Sequence, residues 1–214
     1  MKSAGGLVYL VDDDDAMRDS LGLLLRSIGL ECQLHASALE FLEHYDAGRH
    51  ACLVADIRMP GLSGLELQQR LNELHAEIPV IFITGHGDVP MAVTAMKAGA
   101  VDFIQKPFRD QDLIDRIHKA LERDEERRAW RAEEQVIRER LALLTPRETE
   151  VMQRVVRGQA NKVIAMDLGV SQRTVELHRA RVMRKLKMRS LAELVHAVDK
   201  INPPGAASDT ATPL

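Results

Sequence analysis

The chain has 214 residues, 45% of them hydrophobic, with a net charge of −3, which is enough apolar material for two domains of ordinary size. Its two cysteines, Cys32 and Cys52, each lie in an apolar run, which argues against a disulfide framework or a cysteine metal site and for a reducing compartment. No stretch approaches the roughly 18 uninterrupted apolar residues of a membrane span, and the N-terminus lacks the apolar core and cleavage site of a signal peptide, so a soluble cytoplasmic protein without a membrane partner is expected. The net charge hides an asymmetry: residues 1–121 carry −7, residues 122–143 carry −1 and residues 144–214 carry +5. The basic segment suits nucleic acid; the acidic one needs another task.

In chain order, short apolar runs alternate with segments of helical period. Residues 8–11 (VYLV), 32–35 (CQLH), 52–55 (CLVA), 80–83 (VIFI) and 102–105 (DFIQ) read as strands, each too short for a helix and bounded by polar or glycine residues. Between them, residues 16–28, 38–45, 64–74 and 89–98 repeat apolar positions at three and four. Five strands alternating with helices predict an α/β doubly wound domain with a five-stranded parallel sheet, covered on both faces. A helix starting near Asp110 continues without Gly or Pro to residue 144, so the last helix of this domain runs into a helical linker. Its apolar positions, among them Ile114, Leu121, Trp130 and Leu141, form a broken stripe that leaves both a solvated spacer and a dimerising helix open. An all-helical basic segment follows, and the tail from residue 199 to 214, rich in Pro, Ala, Ser and Thr, is expected to be disordered.

In a doubly wound sheet the functional crevice lies beyond the carboxyl ends of the strands. Asp12 and Asp13 follow the first strand, Asp56 the third, Thr84 the fourth and Lys106 the fifth. Carboxylates from neighbouring strands offer the hard oxygens that Mg²⁺ prefers. Such an ion would also neutralise an incoming phosphoryl group and align it with a carboxylate nucleophile. Asp56, alone on its strand end, is the best nucleophile; Thr84 can donate to one phosphoryl oxygen and Lys106 can supply a point charge to another. Asp14 or Asp15 suits the cap of the next helix.

With these residues in VYLVDD, VADIRMPGLSGLEL, ITGHGDVPMAV and AGAVDFIQKPF, the segment from residue 7 to 121 resembles the receiver domain of two-component response regulators, a flavodoxin-like fold. The resemblance implies Asp56 as phosphoacceptor, and Mg²⁺ or Mn²⁺ held by Asp13, Asp56 and the carbonyl of Arg58, with Asp12 as a supporting acid. It further implies a cis Lys106-Pro107 peptide and a switch in which Thr84 moves toward the phosphoryl group while Phe103 turns inward. Val89, Pro90, Val93 and Met96 would form a dimer face after phosphorylation.

Beyond residue 144 the sequence reads as four short helices. Thr145, Pro146 and Glu148 make a capping box with proline at the first helical position, Gly158 ends that helix, Gly169 supplies the next turn and Ser171 caps the third helix. That third helix, residues 172–186, sets Arg173, Arg179, Arg181, Arg184 and Lys185 beside an apolar stripe of Val175, Val182 and Leu186, so one face can pack while the other enters a major groove. The ordered LTPRE, NKVIA, TVELH and KL segments resemble the LuxR-type helix-turn-helix domain. By that resemblance Lys162, Thr174, His178 and Lys185 contact phosphates, Glu176, Leu177, Ala180 and Arg181 read bases, and Arg173 and Arg184 join the basic face. An acid at Glu176 departs from many relatives; it suits a cytosine amino group, or pairs with Arg173 or Lys162.

The order of the two resemblances is that of the NarL/FixJ class, nearest the FixJ group. The expected domains are a receiver (1–121), a helical linker (122–143), a DNA-binding domain (144–198) and the tail (199–214). The expected function is regulation of transcription by phosphotransfer from a sensor histidine kinase to Asp56, followed by homodimerisation, operator binding and recruitment of RNA polymerase, with no enzymatic turnover. The alternative is a DNA-binding regulator that works without phosphorylation. An aspartyl phosphatase is disfavoured because Arg58 stands where its second acid belongs, and a ligand-sensing quorum regulator because it would not need this acid, hydroxyl and lysine set.

Overall fold

The structure is a computed structural model that describes residues 5–85 and 89–201. The chain divides into two compact units, one ending at Arg128 and the other beginning at Ala129.

In the first unit β1 (Leu7–Val11), β2 (Glu31–His35), β3 (Ala51–Asp56), β4 (Val80–Thr84) and β5 (Asp102–Gln105) form a parallel sheet in the order β2-β1-β3-β4-β5. Alternation along β1 sends Leu7, Tyr9 and Val11 into one core with Phe41, Leu53, Leu67 and Phe82, and Val8 and Leu10 into another with Leu25, Val54, Ile81 and Ile117. Both faces of β1 are therefore dry, which is why VYLV reads as continuously apolar. The helices α1 (Asp15–Ser27), α2 (Ala38–His44), α3 (Gly64–Glu73) and α4 (Val89–Lys97) link the strands, and α5 (Asp110–Ala142) follows β5. Local chemistry fixes their starts: the Asp14 carboxylate accepts from the amides of Ala16 and Met17, and Ser63 with Glu66 closes a capping box on α3. Gly64 is required where it stands, because a Cβ there would lie 2.4 Å from the carbonyl oxygen of Asp56. Observed element ends differ from the sequence expectation by one or two residues.

The first unit closes on a buried carboxylate. Asp124, fully buried on α5, accepts from the amide of Ala51 (3.1 Å), His50 Nδ1 (2.9 Å), Arg127 and Arg128 Nε (2.7 Å). Arg128 also donates to the carbonyls of Ala47 (2.9 Å), Gly48 (3.0 Å) and Arg49. Cys32 and Cys52 are free thiols, and burial pushes the Cys52 thiol well above its ordinary range.

In the second unit α6 (Pro146–Val156), α7 (Asn161–Asp167), α8 (Gln172–Leu186) and α9 (Leu191–Ile201) enclose a core of Val151, Val155, Ile164, Val175, Val182, Leu186 and Leu194, joined by Leu141 from α5. The Thr145–Glu148 capping box with Pro146 behind it, the left-handed Gly158 and Gly169 and the Ser171 cap stand as the sequence implies. Residues 199–201, expected in the tail, are instead the last turn of α9; Lys200 sits 3.9 Å over the Trp130 ring and pairs with Glu133. The rest of the tail lies outside the described residues.

Candidate functional site

Because the strand order reverses at β1, its carboxyl end and that of β3 open on one crevice, and the acids stand there. Carboxylate oxygens of Asp12, Asp13 and Asp56 lie within 4.8 Å of one another. Lys106, carried by the loop after β5, bridges two of them: its amine donates to Asp56 Oδ2 (2.9 Å) and Asp12 Oδ2 (3.2 Å). The second oxygen of Asp56 accepts from the amide of Arg58 (3.2 Å), and the Lys106-Pro107 peptide is cis.

Asp12 is fully buried. Burial raises its carboxyl above the usual range and the charge of Asp56 adds to this, against the opposing effects of the Asp14 amide and Lys106. At Lys106 burial pulls the amine down, but the hydrogen bond and charge of Asp56, followed by Asp12, outweigh it and leave the amine above its ordinary value. Three clustered carboxylates beside one amine form an electron-rich, all-oxygen donor set, and this chemistry fits a hard divalent cation such as Mg²⁺.

Thr84, at the end of β4, is buried, with its hydroxyl donating to the carbonyl of Gly85 at 3.4 Å. Phe103 pairs in register with buried Phe82 but lies on the edge strand, where it is 36% exposed. On α4, Ala92 and Ala95 face the core while Pro90, Val93 and Met96 are exposed. The side chain of Val89 and residues 86–88 lie outside the described set.

One neighbour of the acids escaped the sequence reading. Arg18, one turn into α1, donates through Nη1 to the Asp12 carbonyl (2.7 Å) and through Nη2 to the Asp15 carboxylate. The signal was an arginine three residues after an acid, a spacing too common on helices to single it out.

In the second unit α8 divides cleanly. Val175, Val182 and Leu186 are buried, whereas Arg173, Glu176, Leu177, Ala180, Arg181 and Arg184 form one exposed stripe at spacings of three and four, and Leu177 is 53% exposed within it. Lys162 on α7 is exposed too. The remaining sequence candidates are more enclosed. The Thr174 hydroxyl bonds Ser171 Oγ (2.8 Å), and His178 is half-buried, its Nδ1 without a hydrogen-bond partner among the described residues. Lys185 turns its amine to buried Glu148 Oε2 (2.6 Å) and the Leu143 carbonyl (3.0 Å), away from the role the sequence suggested. A desolvated carboxylate holds an amine more firmly than solvent does. Arg179 likewise bonds Asn161 Oδ1 on α7 (2.6 Å).

Comparison with known proteins agrees with both halves. Residues 8–118 match the response regulator receiver domain family, and residues 142–198 match the bacterial regulatory proteins of the luxR family. The chain is 50% identical to the transcriptional regulatory protein FixJ of Rhizobium meliloti over 88% of this chain and 92% of the relative. It is 42% identical to the response regulator protein TodT of Pseudomonas putida over 94% and 88%. Among solved structures, the response regulator StyR superposes with a TM-score of 0.82 at 48% identity, covering 92% of this chain and all of that one. Full-length FixJ from B. japonicum gives 0.58 at 43%, covering 94% and 98%. With its acid and lysine crevice in one unit and the exposed basic face of α8 in the other, the chain belongs to the response regulators that join a receiver domain to a LuxR-type DNA-binding domain.

Proposed function

We propose that this response regulator takes a phosphoryl group on Asp56 from a sensor histidine kinase and thereby gains affinity for DNA as a homodimer. The observation that carries this reading is the clustering of Asp12, Asp13 and Asp56 at one sheet end, with Lys106 bridging Asp12 and Asp56. An Asp56 carboxylate oxygen attacks phosphorus as the donor's N–P bond breaks, and the electron pair leaves with the imidazole nitrogen. Asp13, Asp56 and the Arg58 carbonyl would hold Mg²⁺ or Mn²⁺ with Asp12 in support, and the ion would supply charge neutralisation at the phosphoryl oxygens. Lys106, drawn off the Asp56 carboxylate, meets a second phosphoryl oxygen, and Thr84 swings from the Gly85 carbonyl to a third. The pocket that Thr84 leaves admits Phe103 from the edge of the sheet, coupling the site to Val89, Pro90, Val93 and Met96, the dimer face.

The regulator's domains are the receiver, a linker from about residue 122 whose first residues, to Arg128, pack with the receiver, and the DNA-binding domain from about 144. Two copies place α8 in successive major grooves. Glu176, Leu177, Ala180 and Arg181 face the bases, with Arg173 and Arg184 on the same basic face, while Lys162, Thr174 and His178 meet phosphates. Lys185, whose amine pairs with Glu148, serves the phosphate side chiefly by holding α8 in place. Recruitment of RNA polymerase in the cytoplasm completes the reading, and the chain regulates rather than turns over a substrate. No described helix is long and apolar enough to cross a membrane.

Light scattering and a mobility-shift assay on selected DNA, for wild type and Asp56→Asn with and without Mg²⁺ and acetyl phosphate, test it. A dimer and tighter binding in wild type alone are expected. Equal behaviour of the two proteins would instead establish a phosphorylation-independent regulator.

A further inference from the structure

We propose that Arg18 is a positioning residue for the cation site: it holds the peptide between Asp12 and Asp13 so that the Asp13 carboxylate faces Asp56. The inference rests on the phosphoacceptor reading above and assigns this arginine a part in it.

The argument starts from the polar atoms of Asp12. Its amide donates to the carbonyl of His35 (3.3 Å), one carboxylate oxygen accepts from the Asp14 amide (2.9 Å) and the other from Lys106 (3.2 Å). Its carbonyl oxygen accepts from Arg18 Nη1 (2.7 Å). That carbonyl belongs to the peptide plane leading into Asp13, so fixing its direction fixes the backbone rotation that aims the Asp13 side chain. Asp13 is exposed, so the aim of its carboxylate depends on its backbone.

The other contact of the guanidinium, to Asp15, is an exposed i,i+3 pair of a kind that contributes little alone. Its value lies in geometry: it anchors one edge of the planar guanidinium while the other edge reaches Asp12, on a side chain that is only 15% exposed. A planar fork can span both acceptors; a lysine amine on a flexible stem cannot. Arg18 also brings a positive charge to a loop with four consecutive acids, residues 12–15, and stabilises it before any cation arrives. Groups that orient metal ligands without touching the metal set affinity strongly.

The test is calorimetric titration of the full chain with MgCl₂, together with acyl-phosphate formation from acetyl phosphate across a Mg²⁺ series, for wild type, Arg18→Ala and Arg18→Lys. Arg18→Ala is expected to weaken Mg²⁺ binding by about tenfold and to raise the half-saturating Mg²⁺ for phosphorylation by the same factor. At saturating Mg²⁺ its rate stays within about twofold of wild type. Arg18→Lys, which retains the charge and one contact, falls between the two. Wild-type Mg²⁺ affinity in either folded variant overturns the proposal, as does a rate that stays low at saturating Mg²⁺. If Arg18→Ala melts below the assay temperature, Arg18→Lys alone decides. Failure of wild type itself to bind Mg²⁺ or accept phosphate would instead overturn the phosphoacceptor reading.

Discussion

Glu148 is held in its charged form by its neighbours. The Lys185 hydrogen bond first, then the Thr145 amide, keep its carboxyl down at about 2 against an ordinary 4.5. A depressed carboxyl binds fewer protons folded than unfolded, so its contribution to stability is complete above pH 4.5 and is lost as pH falls toward 2. We expect the second unit to lose stability over that window in a pH series of thermal melts. Glu148→Gln, which leaves the Lys185 amine without its carboxylate, should flatten the pH dependence and cost about 2 kcal/mol at neutral pH. At this scale the sequence was most readable where a residue type is chemically costly. Acids at the ends of apolar strands had no structural reason to cluster, so Asp12, Asp13, Asp56, Thr84 and Lys106 could be named. The Glu148 partner of Lys185 was not legible because it lies 37 residues away, and a lysine near the end of a basic helix looks the same whether it faces solvent or a buried acid.

Elements were legible through period and caps. Dry faces made β1 and β3 uniformly apolar, and Thr145, Pro146, Gly158 and Gly169 marked their helix ends because each does local chemistry few residues can replace. The close of the first unit was not legible. Residues 122–128 alternate in charge like any solvated helix, yet Asp124 among them is wholly buried. Burial alone would raise its carboxyl, but bonds from His50, Arg128 and the Ala51 amide outweigh that and hold it below the ordinary value. The compact unit therefore reaches Arg128, past the expected boundary at 121. Asp124→Ala strips a charge partner from two arginines and should destabilise the first unit by about 3 kcal/mol. Hydrogen exchange of the full chain checks this: protection in β1 and β3 drops while that in α6 and α8 holds.

Over the whole molecule, charge is sorted by task. Three of the acids in the first 121 positions, Asp12, Asp13 and Asp56, cluster at one sheet end, and the surplus of +5 after residue 143 lies in the unit whose α8 carries an exposed basic face. Binding should weaken steeply with salt because each phosphate contact releases counterions. Removing a free cation lowers the slope of log affinity against log salt by about one. Lys162→Ala is expected to do so in a salt series of DNA titrations, whereas Lys185→Ala, already paired with Glu148, should leave the slope close to wild type while lowering the melting temperature.

The Lys200 amine over the Trp130 ring has a practical side. Trp130 is the chain's one tryptophan, half-exposed near the start of the second unit, with a cation from the last turn of α9 against its face. The native protein thus carries a single indole, selectively excitable beside its two tyrosines, whose emission reports whether the end of α9 stays seated on α5, and loosening of that contact becomes visible as a change in colour and intensity without any label.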